Sequence, residues 1–191
     1  MLTVLLVDDL LDRRESVRQA LLAEGYDVVA CLDSAFDLRA QVERLRPDAI
    51  LIDSDAPDRD TLEGLAVIHR DLPRPVLMFS RDDDSDTIRA AMTAGVAVYV
   101  ADGFAPGRLA SLMKIARARF EAHQEVCRAR DDANRKLADR VVIERAKGVL
   151  MKIHGTDEES AYAMLRKNAM DHKRRLADVA RDLLNSVRLL G

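Results

Sequence analysis

Three apolar runs, each leading into an acid or a hydroxyl, constrain the fold of this chain more than any other feature. Thr3 to Val7 runs into Asp8 and Asp9, Asp48 to Ile52 ends in Asp53, and Pro75 to Phe79 ends in Ser80. Two further runs, Tyr26 to Cys31 and Ala97 to Val100, also read as strands. Helical stretches separate them: Arg13 to Glu24, Phe36 to Leu45, Thr61 to Leu72 and Asp86 to Ala94. In the first of these Val17, Leu21 and Leu22 form the inward face, and Gly25, Pro47 and Gly95 supply stops. Strands that are apolar throughout are covered on both faces, which is a property of parallel sheets. Their alternation with helices predicts an α/β fold, a five-stranded doubly wound parallel sheet.

In such sheets polar chemistry collects at the carboxyl ends of the strands, where the strand order reverses. That rule brings Asp8, Asp9, Asp53 and Ser80 to one rim. Three convergent carboxylates repel one another unless a cation sits among them, and oxygen donors at close spacing suit Mg²⁺. A carboxylate beside Mg²⁺ can act as a nucleophile on a phosphoryl group. The constellation resembles the receiver domain of two-component response regulators. The resemblance implies that Asp53 is the phosphoacceptor, that Asp8, Asp9 and Asp53 hold Mg²⁺, and that Ser80 and Tyr99 are the switch hydroxyl and switch aromatic.

One departure from that pattern matters. Receivers place Lys, usually followed by Pro, shortly after the fifth strand. Here the stretch is YVADGF, with Asp102 and Gly103 at those positions, and Ala56 replaces the usual Met before Pro57. A carboxylate at Asp102 raises the cost of a phosphorylated Asp53 instead of lowering it. The expectation is therefore Mg²⁺ binding with weak or absent phosphorylation. The segments PDRDTLE and YVADG resemble NasT-like proteins. For that group the resemblance implies control by a nitrate- or nitrite-sensing partner protein that sequesters the regulator, with a sensor histidine kinase as the other candidate partner.

From Arg108 the pattern becomes one long helix. Leu109, Met113, Ala116, Phe120, His123, Cys127, Arg130, Asn134, Leu137 and Val141 are spaced alternately by four and three, a heptad seam. Its ends are apolar and its middle is polar, which predicts a weak homodimeric coiled coil with Asn134 fixing register.

Beyond the seam, Val142, Ala146, Val149, Leu150 and Ile153 continue a helical face. Thr156 with Glu159 reads as a capping box, after Gly155, and opens a second helix with Ala161, Met164, Leu165 and Ala169 on one side. A third helix carries Leu176, Val179, Ala180, Leu183 and Leu184. Such short helices are stable only by burying these faces together. Mid-helix Gly148 predicts close approach of a neighbouring backbone. The stretches AKGVLM, AYAMLRKNAM and RLADVA resemble the ANTAR domain, the RNA-binding output module of AmiR- and NasT-like transcription antiterminators. Residues 1–107 are thus read as a receiver, 108–137 as a coiled-coil connector and 138–191 as a three-helix ANTAR bundle.

Charge divides along the same lines. Residues 1–107 hold 11 Arg against 21 Asp and Glu, whereas 108–137 are net +4 and 138–191 net +3. A polyanion is expected to bind the basic end. Arg145, Lys147, Arg166, Lys167, Lys173, Arg174 and Arg175 are the candidate contacts. The resemblance implies that they grip paired hairpins in nascent leader mRNA, preventing terminator formation in nitrate/nitrite or other nitrogen-source regulation. The competing readings are a DNA-binding response regulator with a recognition helix and an interaction module that only titrates a sensor. No enzymatic turnover is expected. No apolar run reaches membrane-spanning length and the N-terminus lacks a basic region, so a cytoplasmic protein is expected. Cys31 and Cys127 fit reduced thiols.

Overall fold

The computed structural model describes residues 1–190, with side chains through Val187. The elements are β1 (Thr3–Asp8), α1 (Leu11–Ala23), β2 (Asp27–Leu32), α2 (Leu38–Leu45), β3 (Ala49–Asp53), α3 (Arg59–Asp71), β4 (Val76–Phe79), α4 (Ser85–Thr93) and β5 (Val98–Val100). After a short turn of 3₁₀ helix come α5 (Leu109–His154), α6 (Glu158–Asp171) and α7 (Leu176–Leu190). The chain divides into two compact units, one ending at Gln124 and the other beginning at Glu125.

In the first unit the five strands form one parallel sheet in the order β2-β1-β3-β4-β5. Successive residues of each strand alternate between two cores, as the two-residue strand period requires. Leu5, Val7, Ile50, Ile52, Val76 and Met78 face one core with Leu38, Val42, Leu65, Ile68 and Ala91 of α2, α3 and α4. Val4, Leu6, Leu51, Leu77 and Phe79 face the other with Val17 and Leu21 of α1. The doubly wound sheet is as expected. Two details differ: Leu22 is 39% exposed and not part of the core, and Phe36 is fully exposed just outside α2.

The second core also contains Leu109, Met113 and Ala116 from the start of α5, all almost fully buried. This corrects the seam. These three positions repeat every three to four residues because they pack against the sheet of the same chain, so they have no face left for a partner helix. A heptad spacing and the spacing of a helix lying on a sheet coincide over so few turns.

The second unit buries Ala146 and Leu150 of α5, Ala161, Leu165 and Ala169 of α6, and Val179 and Ala180 of α7 in one core. Four alanines there let the helices approach closely. Gly155 ends α5 at φ +63, the left-handed conformation that closes helices. The N-cap of α6 is Asp157, whose carboxylate accepts from the Ser160 amide at 2.8 Å, so the cap lies one residue beyond Thr156. Gly148 also departs from expectation, because a Cβ built there meets nothing within 4 Å.

Candidate functional site

Asp8 and Asp53 are register partners at the carboxyl ends of neighbouring strands β1 and β3. The chain runs from β1 outward to β2 on one side and from β3 to β4 on the other, so the strand order reverses between them. Ser80 follows directly after β4. Asp8, Asp53 and Ser80 are all buried, whereas Asp9 is exposed at the mouth.

A cation does occupy the middle of this rim, and it is part of the chain. Arg13, in the first turn of α1, places Nη2 at 3.1 Å from Asp8 Oδ1 and 2.9 Å from Asp9 Oδ1. Its Nη1 lies 2.6 Å from Asp55 Oδ1, and its Nε lies 3.2 Å from Asp53 Oδ2. Nη2 also donates to the Asp53 carbonyl at 3.1 Å. Burial works against the guanidinium charge, but hydrogen bonds to Asp8 and Asp55 outweigh it and hold Arg13 more firmly protonated than usual. Asp53 shows the opposite balance. Burial pushes its carboxyl up to about 6, with Arg13 pulling it down and Asp8 and Asp55 pushing it further up. Its Oδ2 is close to Arg13 but makes no aligned hydrogen bond.

Ser80 and Tyr99 converge on one loop. Ser80 Oγ donates to the Asp55 carbonyl at 3.0 Å and accepts from the Asp82 amide at 3.1 Å. The Tyr99 hydroxyl donates to the Asp82 carbonyl at 2.8 Å. Both hydroxyls therefore fasten the β4–α4 loop beside the acidic rim. Asp102 is exposed in the turn after β5, and the next amide, Gly103, donates to the Ser80 carbonyl at 2.8 Å.

In the second unit the seven candidate cations fall into two groups. Lys147 is only 8% exposed and pairs with Glu144 at 2.8 Å and Glu158 at 2.5 Å. These two carboxylates, Glu144 first, raise its pKa. Lys147 thus ties α5 to the start of α6 and is not a surface contact, which corrects its place on the RNA face. Arg174 pairs with Asp182 at 2.6 Å, and Arg175 with Asp139 at 2.5 Å. Arg145, Arg166, Lys167 and Lys173 are exposed, and no ion pair among the described residues engages them. Arg166, Lys173 and Arg174 border one surface hollow together with Tyr162, Met170 and Leu176. Met170 is 67% exposed there.

Lys173 has φ +51, left-handed for a residue with a side chain. Its amide donates to the Met170 carbonyl at 3.2 Å and that of Arg174 to Ala169 at 2.9 Å. This is a Schellman closure of α6 with lysine where glycine is favoured. Among the remaining seam positions, Phe120 and Cys127 are half-buried, while Asn134, Leu137 and Val141 are exposed.

Two residues of the acidic rim escaped the sequence reading, Arg13 and Asp55. Arg13 follows Asp9 by four positions and opens a helix that must start over the end of β1, so the offset was available as a signal. Asp55 carries no comparable pattern.

A buried aspartate on β3, facing an aspartate on β1 at a topological switch point, with a hydroxyl at the end of β4, defines a receiver-type regulatory domain. A profile of the response regulator receiver domain matches residues 4–114, and a profile of the ANTAR domain matches 131–184. Over 184 residues the chain is 25% identical to the transcriptional regulatory protein PdtaR of Mycobacterium tuberculosis H37Rv, covering 96% of this chain and 90% of that one. A 48-residue stretch is 50% identical to the nitrate regulatory protein of Klebsiella oxytoca, covering 25% of this chain and 12% of that protein. A CheY-like receiver domain protein from Methanospirillum hungatei JF-1 is 26% identical with TM-score 0.54, over 65% of this chain and 98% of that one. The receiver of a modulated diguanylate cyclase from Desulfovibrio desulfuricans G20 shares the fold at TM-score 0.56 and 22% identity, over 64% of this chain and 98% of that one. The chain belongs to the NasT- and AmiR-like response regulators, which join a receiver to an ANTAR domain. Both matching profiles, receiver and ANTAR, are of regulatory domains. Among the described residues no helix is long and apolar enough to cross a membrane.

Receiver domains generally bind Mg²⁺ at their acidic site. Here the carboxylates are not arranged around one. Among the described residues no group of three or more His, Cys, Asp or Glu side chains is placed to hold a metal ion. The space between Asp8, Asp9 and Asp53 is taken by Arg13.

Proposed function

We propose that this chain is a transcription antiterminator that binds paired hairpins in nascent leader mRNA through its ANTAR unit. The observation that carries the reading is the hollow bordered by Tyr162, Met170, Arg166 and Lys173. It joins an aromatic ring and apolar side chains to two cations, Arg166 and Lys173, that no carboxylate among the described residues neutralises. Helices cannot enter the deep groove of duplex RNA, so such a surface suits bases splayed out of a hairpin loop, stacked on an aromatic ring and anchored by phosphate contacts. The left-handed Lys173 supports it. Left-handed non-glycine backbone costs about 1 kcal/mol or more and tends to persist at functional positions. Lys167 and Arg145 extend the positive surface.

Two hairpins call for two protomers, and residues 108–137 form the connector that brings them together. Phe120, Cys127, Asn134, Leu137 and Val141 are the seam positions left for that contact. Linked sites gain avidity only when both engage, so the dimer forms on a two-hairpin RNA. The protein acts in the cytoplasm, where nascent RNA is reachable, and performs no turnover. Asp102 in place of lysine disfavours a phosphorylated Asp53. Its favoured input is therefore a ligand-sensing partner protein, with nitrate or nitrite among the candidate signals, and a sensor histidine kinase is the alternative that the receiver fold supports.

The deciding experiment compares binding of the full chain to a two-hairpin leader RNA, a single hairpin and duplex DNA of the same sequence. Preference for the two-hairpin RNA, with steep salt dependence, is expected. Equal or tighter binding to duplex DNA overturns the reading.

A further inference from the structure

We propose that Arg13 is the resident cation of the acidic pocket and excludes a divalent metal ion, so that this receiver works without one. The geometry is unusually complete for a single side chain. One guanidinium touches the carboxylates of Asp8, Asp9, Asp53 and Asp55 at 2.6 to 3.2 Å, while its own side chain is only 15% exposed. Its Nε also reaches both oxygens of Asp8 at 3.2 Å. Five planar N–H donors make such multiple pairing possible for arginine, and a single ammonium could not reproduce it.

Asp8 and Asp9 already give oxygens to Arg13, and Asp53 Oδ2, which makes no aligned hydrogen bond, lies 3.2 Å from the same guanidinium. Mg²⁺ demands near-octahedral oxygens at about 2.0–2.1 Å and gives up its water reluctantly. To enter, it would have to displace a guanidinium held on four sides or share the pocket with it, and two cations at that spacing repel. Deprotonation offers no escape, because arginine keeps its charge at any pH the protein survives. The sequence builds the device locally. Leu11 starts α1 directly over the end of β1, and Arg13 falls in the first turn. Asp8 Oδ1 accepts from the Leu10 amide at 2.9 Å, and Arg14 clamps the Asp8 carbonyl at 2.6 and 2.9 Å. The pocket is thus set before any ligand arrives, and a signal must act on it by moving Arg13.

The test uses the full chain, Mg²⁺ in melting experiments and Mn²⁺ as a paramagnetic probe. The parent is expected to show no Mg²⁺-dependent change in Tm and no Mn²⁺ binding that depends on Asp53. Arg13→Met should open the site. At about ten times its own Kd, Mg²⁺ should raise that variant's Tm by about 5 °C. Its affinity should exceed the parent's by at least about tenfold, as expected when one charge leaves the pocket. Asp53→Asn in the same background should abolish the gain, which separates this pocket from adventitious acidic sites. If Arg13→Met does not fold, Arg13→Gln replaces it, since glutamine keeps N–H donors and drops the charge. A parent that binds Mn²⁺ through Asp53 as tightly as the variant overturns the proposal. So does a folded variant that gains no affinity, because then Arg13 is not what keeps the metal out.

Discussion

The acidic receiver pocket and the basic ANTAR hollow carry opposite charge, but they differ more deeply in how that charge is partnered. In the receiver four carboxylates close on one half-buried arginine, and Asp53 is only 2% exposed. In the ANTAR unit Arg166, Lys167 and Lys173 stand in solvent with no ion pair among the described residues. In the first arrangement the partner of each carboxylate lies within the chain, and in the second the cations have no partner among the described residues, as the proposed RNA contact requires. Net charge alone hides this. Lys147 adds to the positive count of the ANTAR unit and yet belongs, by its pairs with Glu144 and Glu158, to the first kind.

The largest expected effect breaks the basic half of the comparison. Replacing Arg166, Lys167 and Lys173 together by alanine should lower affinity for a two-hairpin leader RNA on the order of a hundredfold at about 0.15 M salt. The salt slope should fall by about one per lost phosphate contact. Far-UV circular dichroism and Tm should stay near the parent's, since none of the three holds the fold. Lys147→Met should do the reverse, lowering Tm while the folded protein binds RNA as before. If Lys147→Met weakens RNA binding as much as the triple change does, the division of the cations into two kinds is wrong.

Next in size is the acidic half. The Asp53 carboxyl sits at about 6 in the folded chain, against the ordinary value of 3.8 that it recovers on unfolding. Between those values the folded state keeps a proton that the unfolded state has lost, so this residue's contribution to stability falls as pH rises through that window. Above pH 6 the penalty is fully present. Asp53→Asn should therefore be more stable than the parent at pH 7, by about 1–3 kcal/mol, and equal to it near pH 4. Denaturant unfolding of both proteins from pH 4 to 7 checks this, and parallel stability profiles would refute it.

The contrast also explains what the sequence could show. Periodicity revealed the sheet, its two covered faces and the strand ends that converge, because those follow from which residues alternate. It placed Asp8, Asp53 and Ser80 correctly on one rim. It could not show who neutralises whom. The Arg175–Asp139 pair spans 36 positions and the Arg13–Asp55 pair 42, so both are products of tertiary placement. The same limit produced the seam error. Leu109, Met113 and Ala116 have the spacing of a coiled coil, but the surface they cover belongs to β-strands of their own chain.

Smaller in size, Lys173→Gly separates backbone from charge at one position. Glycine relieves the left-handed φ of +51 and should stabilise the ANTAR unit by about 0.5–1 kcal/mol. Removing the ammonium should at the same time weaken RNA binding and reduce the salt slope by about one. Stability and affinity moving in opposite directions marks a residue kept in a strained conformation for its charge. If both fall together, Lys173 is part of the helix closure and nothing more.

The smallest effect tests Gly148, which lies inside α5 with open space where a Cβ would sit. Glycine in a helix interior costs about 1 kcal/mol against alanine, through backbone entropy. With no neighbour to collide with, Gly148→Ala should raise stability by somewhat less than that and leave the helix packing of the unit unchanged. Its bearing on the comparison comes from RNA. Arg145 lies three residues before it on the same helix, so a bare backbone at 148 can admit a phosphate where a methyl group would not. Unchanged RNA affinity with higher Tm confines the RNA face to the hollow around Tyr162 and Arg166. A drop in affinity at higher Tm extends that face along α5 to Gly148 and Arg145. A loss of stability would instead mean that another backbone does approach this glycine, against the open space found there.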